Sequence, residues 1–312
     1  MSDSTHTSAA PDWATVLEAA AAAGWTAAVV DAARLEEVGD RVAGVLASGE
    51  LPGPTAEHLA AETSFSWPDE GPRPRSVVVA ATPRPLTRAT LTVHGEPREV
   101  AVPPHYAGYA TVPDGLATAV SAALTPAGFT AARCEPPLKT LAACAGLARY
   151  GRDNIAYVPG LGSYLMLAAC VSDAPPPDDA RWGEPRQLER CERCTACLRA
   201  CPGGAIRPDR FLLQTDRCLT THNESEDPFP DWVDPAWHHT AVGCLRCQQA
   251  CPENAAVDLR VNEPEVFDEP ETEAILTAAP ALSPTTREKL SSCGLDYSPA
   301  LISRNLRALL DL

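Results

Sequence analysis

No stretch of this sequence is apolar for long enough to cross a bilayer as a helix, which takes about 20 residues. The longest apolar runs, VVVAA at 77–81 and YLMLAACV at 164–171, have the length of buried strands. The opening MSDSTHTSAAPDW has neither a basic nor an apolar stretch, so no secretory leader is read there. Basic residues are scarce: Lys and Arg number 25 against 41 Asp and Glu, a formal charge of −16. Such a chain repels a phosphate backbone overall, which argues against nucleic acid as a partner. No repeat of long period is present. These absences set the expectation of a cytoplasmic protein without a membrane segment, where clustered cysteines are more often metal ligands than disulfides.

The 312 residues, 45% of them hydrophobic, suffice for one large or two modest domains with a real core. Proline is abundant, 31 residues, which implies rigid connections between short elements. Residues 12–23 predict a helix with Asp12 as N-cap and Gly24 as stop. A strand over 26–32 and a helix over 33–48 follow, with Leu35, Val38, Val42 and Val45 on one helical face. The segment 51–75 is rich in proline and polar residues, with Trp67 as an isolated core or groove residue. SVVVAATPRP (76–85) predicts a buried strand, 89–102 two strands around Gly95-Glu96-Pro97, and 115–128 a helix up to Pro126. In the tail, Ser283-Pro284 and Ser298-Pro299 each open a helix. The pattern predicts an α/β or α+β domain over 1–180, bounded by the proline-rich segment 172–185.

Eight of the twelve cysteines then concentrate in two motifs and one lone position. The first motif is Cys191-x2-Cys194-x2-Cys197-x3-Cys201-Pro202, and the second is Cys244-x2-Cys247-x3-Cys251-Pro252, with Cys218 between them. The first spacing is the bacterial ferredoxin run, in which three close thiolates grip one [4Fe–4S] cube and the fourth reaches the neighbouring cube. Applied here, cluster one takes Cys191, Cys194, Cys197 and Cys251, and cluster two takes Cys201, Cys218, Cys244 and Cys247. Zinc is the rival ligand, although its sites show paired C-x2-C knuckles without a fourth cysteine followed by proline. Cys134, Cys144, Cys170 and Cys293 lie among apolar residues and read as small buried thiols. A domain of about 180 residues ahead of the clusters exceeds what a simple carrier needs and points to a second cofactor or a substrate pocket. His222, His238 and His239 lie near the motifs, where imidazoles either tune a cluster or serve the loop structurally.

The segment PLKTLAACAGLARYGRDNIAYVPGLGSY (137–164), followed by CPGGAIRPDRFLLQTDRCLTTHNE (201–224), FPDW (229–232) and GCLRCQQACPENAAV (243–257), resembles the epoxyqueuosine reductase-like proteins. The branch it most resembles is the 4Fe–4S double-cluster-binding one, related to corrinoid reductive dehalogenases. The resemblance implies a nitroreductase-like, cofactor-binding sheet domain over 1–180 and an α-rich, ferredoxin-like dicluster domain over 181–262. Residues 263–312 would form a helical C-terminal tail. It further implies a cobalamin held near Tyr150, Gly151, Arg152, Asn154, Gly162 and Ser163, with reduced ferredoxin or flavodoxin as electron donor. Two departures stand out. Where the family carries a catalytic Asp this chain has Cys134-Glu135-Pro136-Pro137, and the family's Asp-Tyr-His stretch is replaced by HYAGYATVPDGL (105–116). The leading expectation is therefore an iron–sulfur oxidoreductase that passes electrons to a corrinoid and an unidentified small-molecule substrate. An electron-transfer protein without its own substrate, and an epoxyqueuosine reductase acting on tRNA, are the alternatives.

Overall fold

The computed structural model describes residues 10–62 and 73–312; Trp67 lies outside the described residues. Helix α1 (Trp13–Ala22) begins where the Asp12 carboxylate accepts the Ala14 and Thr15 N–H groups, and the chain turns at Gly24 with φ 87°. Strand β1 (Thr26–Asp31) leads into α2 (Leu35–Ala47), whose Leu35, Val38 and Val42 are buried while Val45 is half-buried. A helix α3 (Gly53–Glu62) occupies part of the segment expected to be irregular. Pro54 stands at its first turn, where a missing N–H costs nothing, and Ala, Glu and Leu propagate it.

Strand β2 (Ser76–Pro83) is buried on both faces, and β3 (Thr87–Val93) and β4 (Glu96–Val102) form a hairpin. Its turn is His94-Gly95, both at positive φ (52° and 80°), the two-residue geometry that suits a twisted hairpin. Pro97 consequently lies within β4, opposite Thr92, instead of in the turn. Then come α4 (Val112–Leu124), β5 (Ala131–Cys134), α5 (Leu138–Cys144), the short pair β6 (Arg149–Tyr150) and β7 (Ala156–Tyr157), and β8 (Leu165–Ser172). The main sheet has the order β1-β2-β8-β5 and is antiparallel throughout. Alternation along β2 splits the interior in two. Val77, Val79 and Ala81 face Leu35, Val38 and Leu141 on one side. Val78 and Ala80 face Trp13, Val16, Leu116 and Val120 on the other. The result is a mixed α/β unit of three layers, helix on sheet on helix.

The cysteine-bearing region holds α6 (Ala196–Ala200), α7 (Leu219–Glu224) and α8 (Arg246–Ala250), each about one turn and a half or less. The chain ends in β9 (Glu265–Phe267), α9 (Glu269–Leu276), α10 (Pro284–Ser292) and α11 (Pro299–Leu310), the last two capped by Ser283 and Ser298. Residues 263–312 do not form a separate tail. Strand β9 pairs in parallel with β3, and Phe267, Ile275, Leu290, Ile302 and Leu306 share one core with Leu91 and Val102 of the hairpin. The boundary expected near residue 180 is crossed in the same way, since the hairpin packs with the tail and stands outside the main sheet. Cys134, Cys144, Cys170 and Cys293 are buried in the interior. Among the described residues no helix is long and apolar enough to cross a membrane.

Candidate functional site

The two cysteine motifs have the same local build. In each, a short helix occupies the three-residue gap before the last cysteine, which is then extended: Cys201 has φ −77° and ψ 107°, Cys251 φ −75° and ψ 123°. The turn carries that last cysteine away from its own trio, and α6 and α8 pack against one another. Cys191, Cys194, Cys197 and Cys251 line one small pocket, together with Gly151, Arg152 and Asp153. Cys201, Cys218, Cys244 and Cys247 line a second cavity of about 250 Å³. Each quartet draws on both motifs.

Burial pushes the Cys197 thiol up to about 11 and the Cys244 thiol to about 12, so the thiolates that bind iron need a positive partner. Several N–H groups aim at the sulfurs, with Arg152 N 3.3 Å from Cys191 Sγ and Ala205 N 3.3 Å from Cys201 Sγ. Thiols in fours, buried or half-buried and ringed by amide donors, fit iron–sulfur cubes by the chemistry of the donor set. Asp153 lies between the quartets, lining both cavities at 2% exposure. Burial raises its carboxyl group, against a hydrogen bond of 2.8 Å from the Tyr157 hydroxyl.

The loops expected to bed a corrinoid do something else. The Ser163 N–H donates to Asn254 Oδ1 (2.9 Å), and the Ser163 hydroxyl donates to Gln248 Oε1 (2.9 Å), both groups of the second cysteine motif region. Gly162 has φ 62°, and a Cβ there would strike Asn254 and sit 2.7 Å from Val257 Cγ2. A Cβ on Gly151 would collide with Asp153 and with the Tyr157 ring (2.5 Å). Arg152 donates to the Cys191 carbonyl, Tyr150 meets Phe211 edge-on at 5.2 Å, and the Asn154 carbonyl accepts from Lys139 Nζ (3.3 Å). The close approach that requires these glycines is that of protein on protein. Tyr150, Arg152, Gly162 and Ser163 tie the sheet domain to the cysteine region, whereas Gly151 and Asn154 pack on residues of the sheet domain itself.

The histidines are likewise structural. His238 is buried against Phe229, and His239 Nε2 accepts from the N–H of Leu245, next to Cys244 (3.0 Å). Three residues that the sequence reading passed over face the second quartet: His105, Lys139 and Asp153. A signal for one was present, since Lys139 is one of only two lysines beside 23 arginines. Glu135, the carboxylate nearest to the family's catalytic Asp, is 71% exposed and paired with Arg133.

Residues 190–254 match the family model described as the 4Fe–4S double cluster binding domain. The likeness beyond it is to epoxyqueuosine reductases. That of Synechococcus sp. is 31% identical over 128 residues, 40% of this chain and 38% of the relative. That of Pseudomonas aeruginosa is 33% identical over 143 residues, 45% and 38% of the two chains. The sequence match thus spans less than half the length of these curated relatives. In three dimensions the epoxyqueuosine reductase of Streptococcus thermophilus superposes with a TM-score of 0.63 at 16% identity, over 96% of this chain and 80% of that one. An epoxyqueuosine reductase with a tRNA-Tyr epoxyqueuosine-modified tRNA stem loop superposes with 0.65 at 19% identity, over the same shares.

These curated relatives, both epoxyqueuosine reductases, together with the neighbour that holds a tRNA stem loop, run against the expectation of a small-molecule substrate and no nucleic acid. Net charge is a sum over the chain and does not report how charge is distributed on one face. Arg181, Arg186, Arg190, Arg193 and Arg199 are all exposed around the first motif. Among the described residues only Arg190 of the five pairs with a carboxylate, that of Glu253 at 2.7 Å.

Proposed function

We propose that this chain is an iron–sulfur oxidoreductase that reduces an epoxyqueuosine-type modified nucleoside on tRNA. The observation that carries the reading is the gathering of eight cysteines into two quartets, each drawn from both motifs, within a region that matches the dicluster domain. Cluster one takes Cys191, Cys194, Cys197 and Cys251, and cluster two takes Cys201, Cys218, Cys244 and Cys247. Electrons from an external one-electron reductant pass through both cubes. The proteins it resembles supply the substrate class.

In this reading the antiparallel sheet with its two helical layers is a nitroreductase-like domain, and residues 181–262 are a ferredoxin-like dicluster domain. Residues 263–312 complete the core beneath the hairpin. Cubes carry single electrons and leave substrate choice to the surrounding protein. The exposed arginines beside cluster one meet the phosphates, an interaction that weakens as salt rises.

The test is a turnover assay without oxygen. Reconstituted protein, reduced with dithionite, is given tRNA carrying the epoxide, and the digested nucleosides are separated by mass. Conversion of the epoxide to the alkene supports the reading. A protein that takes up electrons and leaves the nucleoside unchanged is an electron carrier, and the proposal then falls.

A further inference from the structure

A cleft of about 1070 Å³ opens between distant parts of the chain. Loop 105–111, which follows β4, lines it together with the turn 291–297 between α10 and α11, and Glu224 at the end of α7 adds a carboxyl group. Loop and turn meet at Gly294, where φ is 76° and a Cβ would sit 2.5 Å from the Tyr106 carbonyl carbon and the Ala107 nitrogen. His105 and Tyr106 line both this cleft and the cavity of the second quartet, so one loop separates the two. Clefts between units of a chain are where ligands are preferentially held.

The lining favours one kind of ligand. Three carboxyl groups, those of Glu224, Glu288 and Asp296, stand against a single guanidinium, that of Arg84, which donates to the Ala107 carbonyl at 2.8 Å. Glu224 accepts from the Tyr106 hydroxyl and Asp296 from the Ser291 hydroxyl at 3.1 Å. Among the described residues Glu288 accepts from no side chain, and none of the three has a cation within ion-pair distance. Tyr106, Tyr109 and Tyr297 share the lining, and Tyr109 is 67% exposed. Carboxylates attract a cation through charge, and aromatic rings attract it through their electron-rich faces. The same carboxylates repel phosphate, so a nucleic-acid backbone is disfavoured in the cleft. The Asn262 amide and the Tyr297 hydroxyl have no hydrogen-bond partner among the described residues, which leaves them for a ligand's hydroxyl groups.

We infer that this cleft receives the side chain of the modified base, a cationic and hydroxylated group, with Glu288 and Asp296 holding its ammonium. The inference rests on the reading of the chain as a reductase of epoxyqueuosine-type nucleosides. Such a nucleoside joins its hydroxylated epoxide ring to the base through a secondary amine, which is charged at neutral pH. The Asn262 amide and the Tyr297 hydroxyl meet the ring hydroxyls, and the exposed ring of Tyr109 offers a face on which the base stacks. An unmodified guanosine has neither the ammonium nor the hydroxylated ring. The cleft therefore selects modified tRNA at the binding step.

The test measures the affinity of the reconstituted, oxidised protein for two tRNA stem loops by fluorescence anisotropy. The stem loops differ only in carrying epoxyqueuosine or guanosine at the modified position. Charge-assisted hydrogen bonds set the expected wild-type preference for the epoxyqueuosine stem loop at about 10–100-fold. The double variant Glu288→Gln with Asp296→Asn is expected to lose that preference. Both residues are exposed, so the amides leave the core intact, and iron content and melting temperature serve as folding controls. A double variant that keeps the wild-type preference overturns the assignment of the cleft. A gain in affinity for both stem loops alike does the same, because it marks a surface that the phosphate backbone crosses. Turnover of the epoxyqueuosine stem loop by reduced wild type separates the two readings. Conversion without a binding preference overturns the cleft and leaves the function standing. Absence of conversion overturns the function, and the inference with it.

Discussion

Replacing Asn305 with alanine tests whether α11 holds cluster two. Asn305 is fully buried, and its amide donates to the Asn223 carbonyl at 2.8 Å and the Ala241 carbonyl at 3.0 Å. Asn223 lies on α7, which begins immediately after Cys218, and its own amide donates to the Gly243 carbonyl next to Cys244 (2.7 Å). Arg304 adds a bond to the His222 carbonyl at 2.9 Å and stacks its guanidinium on Phe229 at 4.1 Å. Two ligand-bearing segments are thus tied through one side chain. Its loss leaves two buried carbonyls without a donor, each costing about 1–3 kcal/mol, or about 2–6 kcal/mol together. That is a large share of the roughly 5–15 kcal/mol that holds a domain folded.

The assay follows iron release to a chelator without oxygen, alongside thermal unfolding. N305A should release half its iron fast and the other half at the wild-type rate. Leu116→Ala, in the remote core beneath α4, is the control, expected to cost about 2–5 kcal/mol and to show no such split. Equal lability of both halves in N305A, with an unchanged melting temperature, would refute the reasoning.

Three further outcomes are expected. Cys251→Ser should abolish the spectrum of cluster one and Cys201→Ser that of cluster two, each the cluster opposite to its own motif; loss within the same motif would sink the exchange. Gly162→Ala should lower stability by about 1–3 kcal/mol, read by thermal unfolding, because the new methyl group strikes Asn254 and Val257. His105 and His238 are both held near 4 by burial, below their unfolded value of about 6.5. The unfolded chain then binds more protons in that window, so stability is full above pH 6.5 and declines as pH falls toward 4. His238→Phe should flatten part of that decline in a pH series of melting temperatures.

The cysteines were legible because their signal is local: a spacing of two, two and three residues dictates which sulfurs share a turn and which are carried past it. Strands β1, β2 and β8 of the main sheet and the capped tail helices were legible for a similar reason, through short apolar runs and Ser-Pro pairs at the helix starts, whereas the four-residue β5 was not read. The pairing of β3 with β9 was not, since Ala89 and Glu265 carry no mark of each other. Gly162 misled the reading. A glycine reports that something comes close, and the sequence does not say whether that neighbour is a cofactor or Asn254. Total charge misled it too, because it weighs buried and distant carboxylates equally with five exposed arginines. Lys139 was overlooked because one residue in a helix has no pattern; its rarity is the only clue that composition offers.

The parallel pairing of β9 on β3 has a consequence for how the protein is made. The hairpin emerges early in synthesis, but its core is completed only by residues 265–310. All eight clustered cysteines lie between those two halves of one core. Non-local closure of this kind is slow, because the chain must bring distant segments together before their contacts reward it. Translation therefore passes through a stage in which every thiol has been synthesised and the loops of Cys218 and Cys244 still lack the brace of α11. Iron delivered during that stage meets unpositioned ligands, so durable assembly of the second cube belongs after the ribosome has released α11.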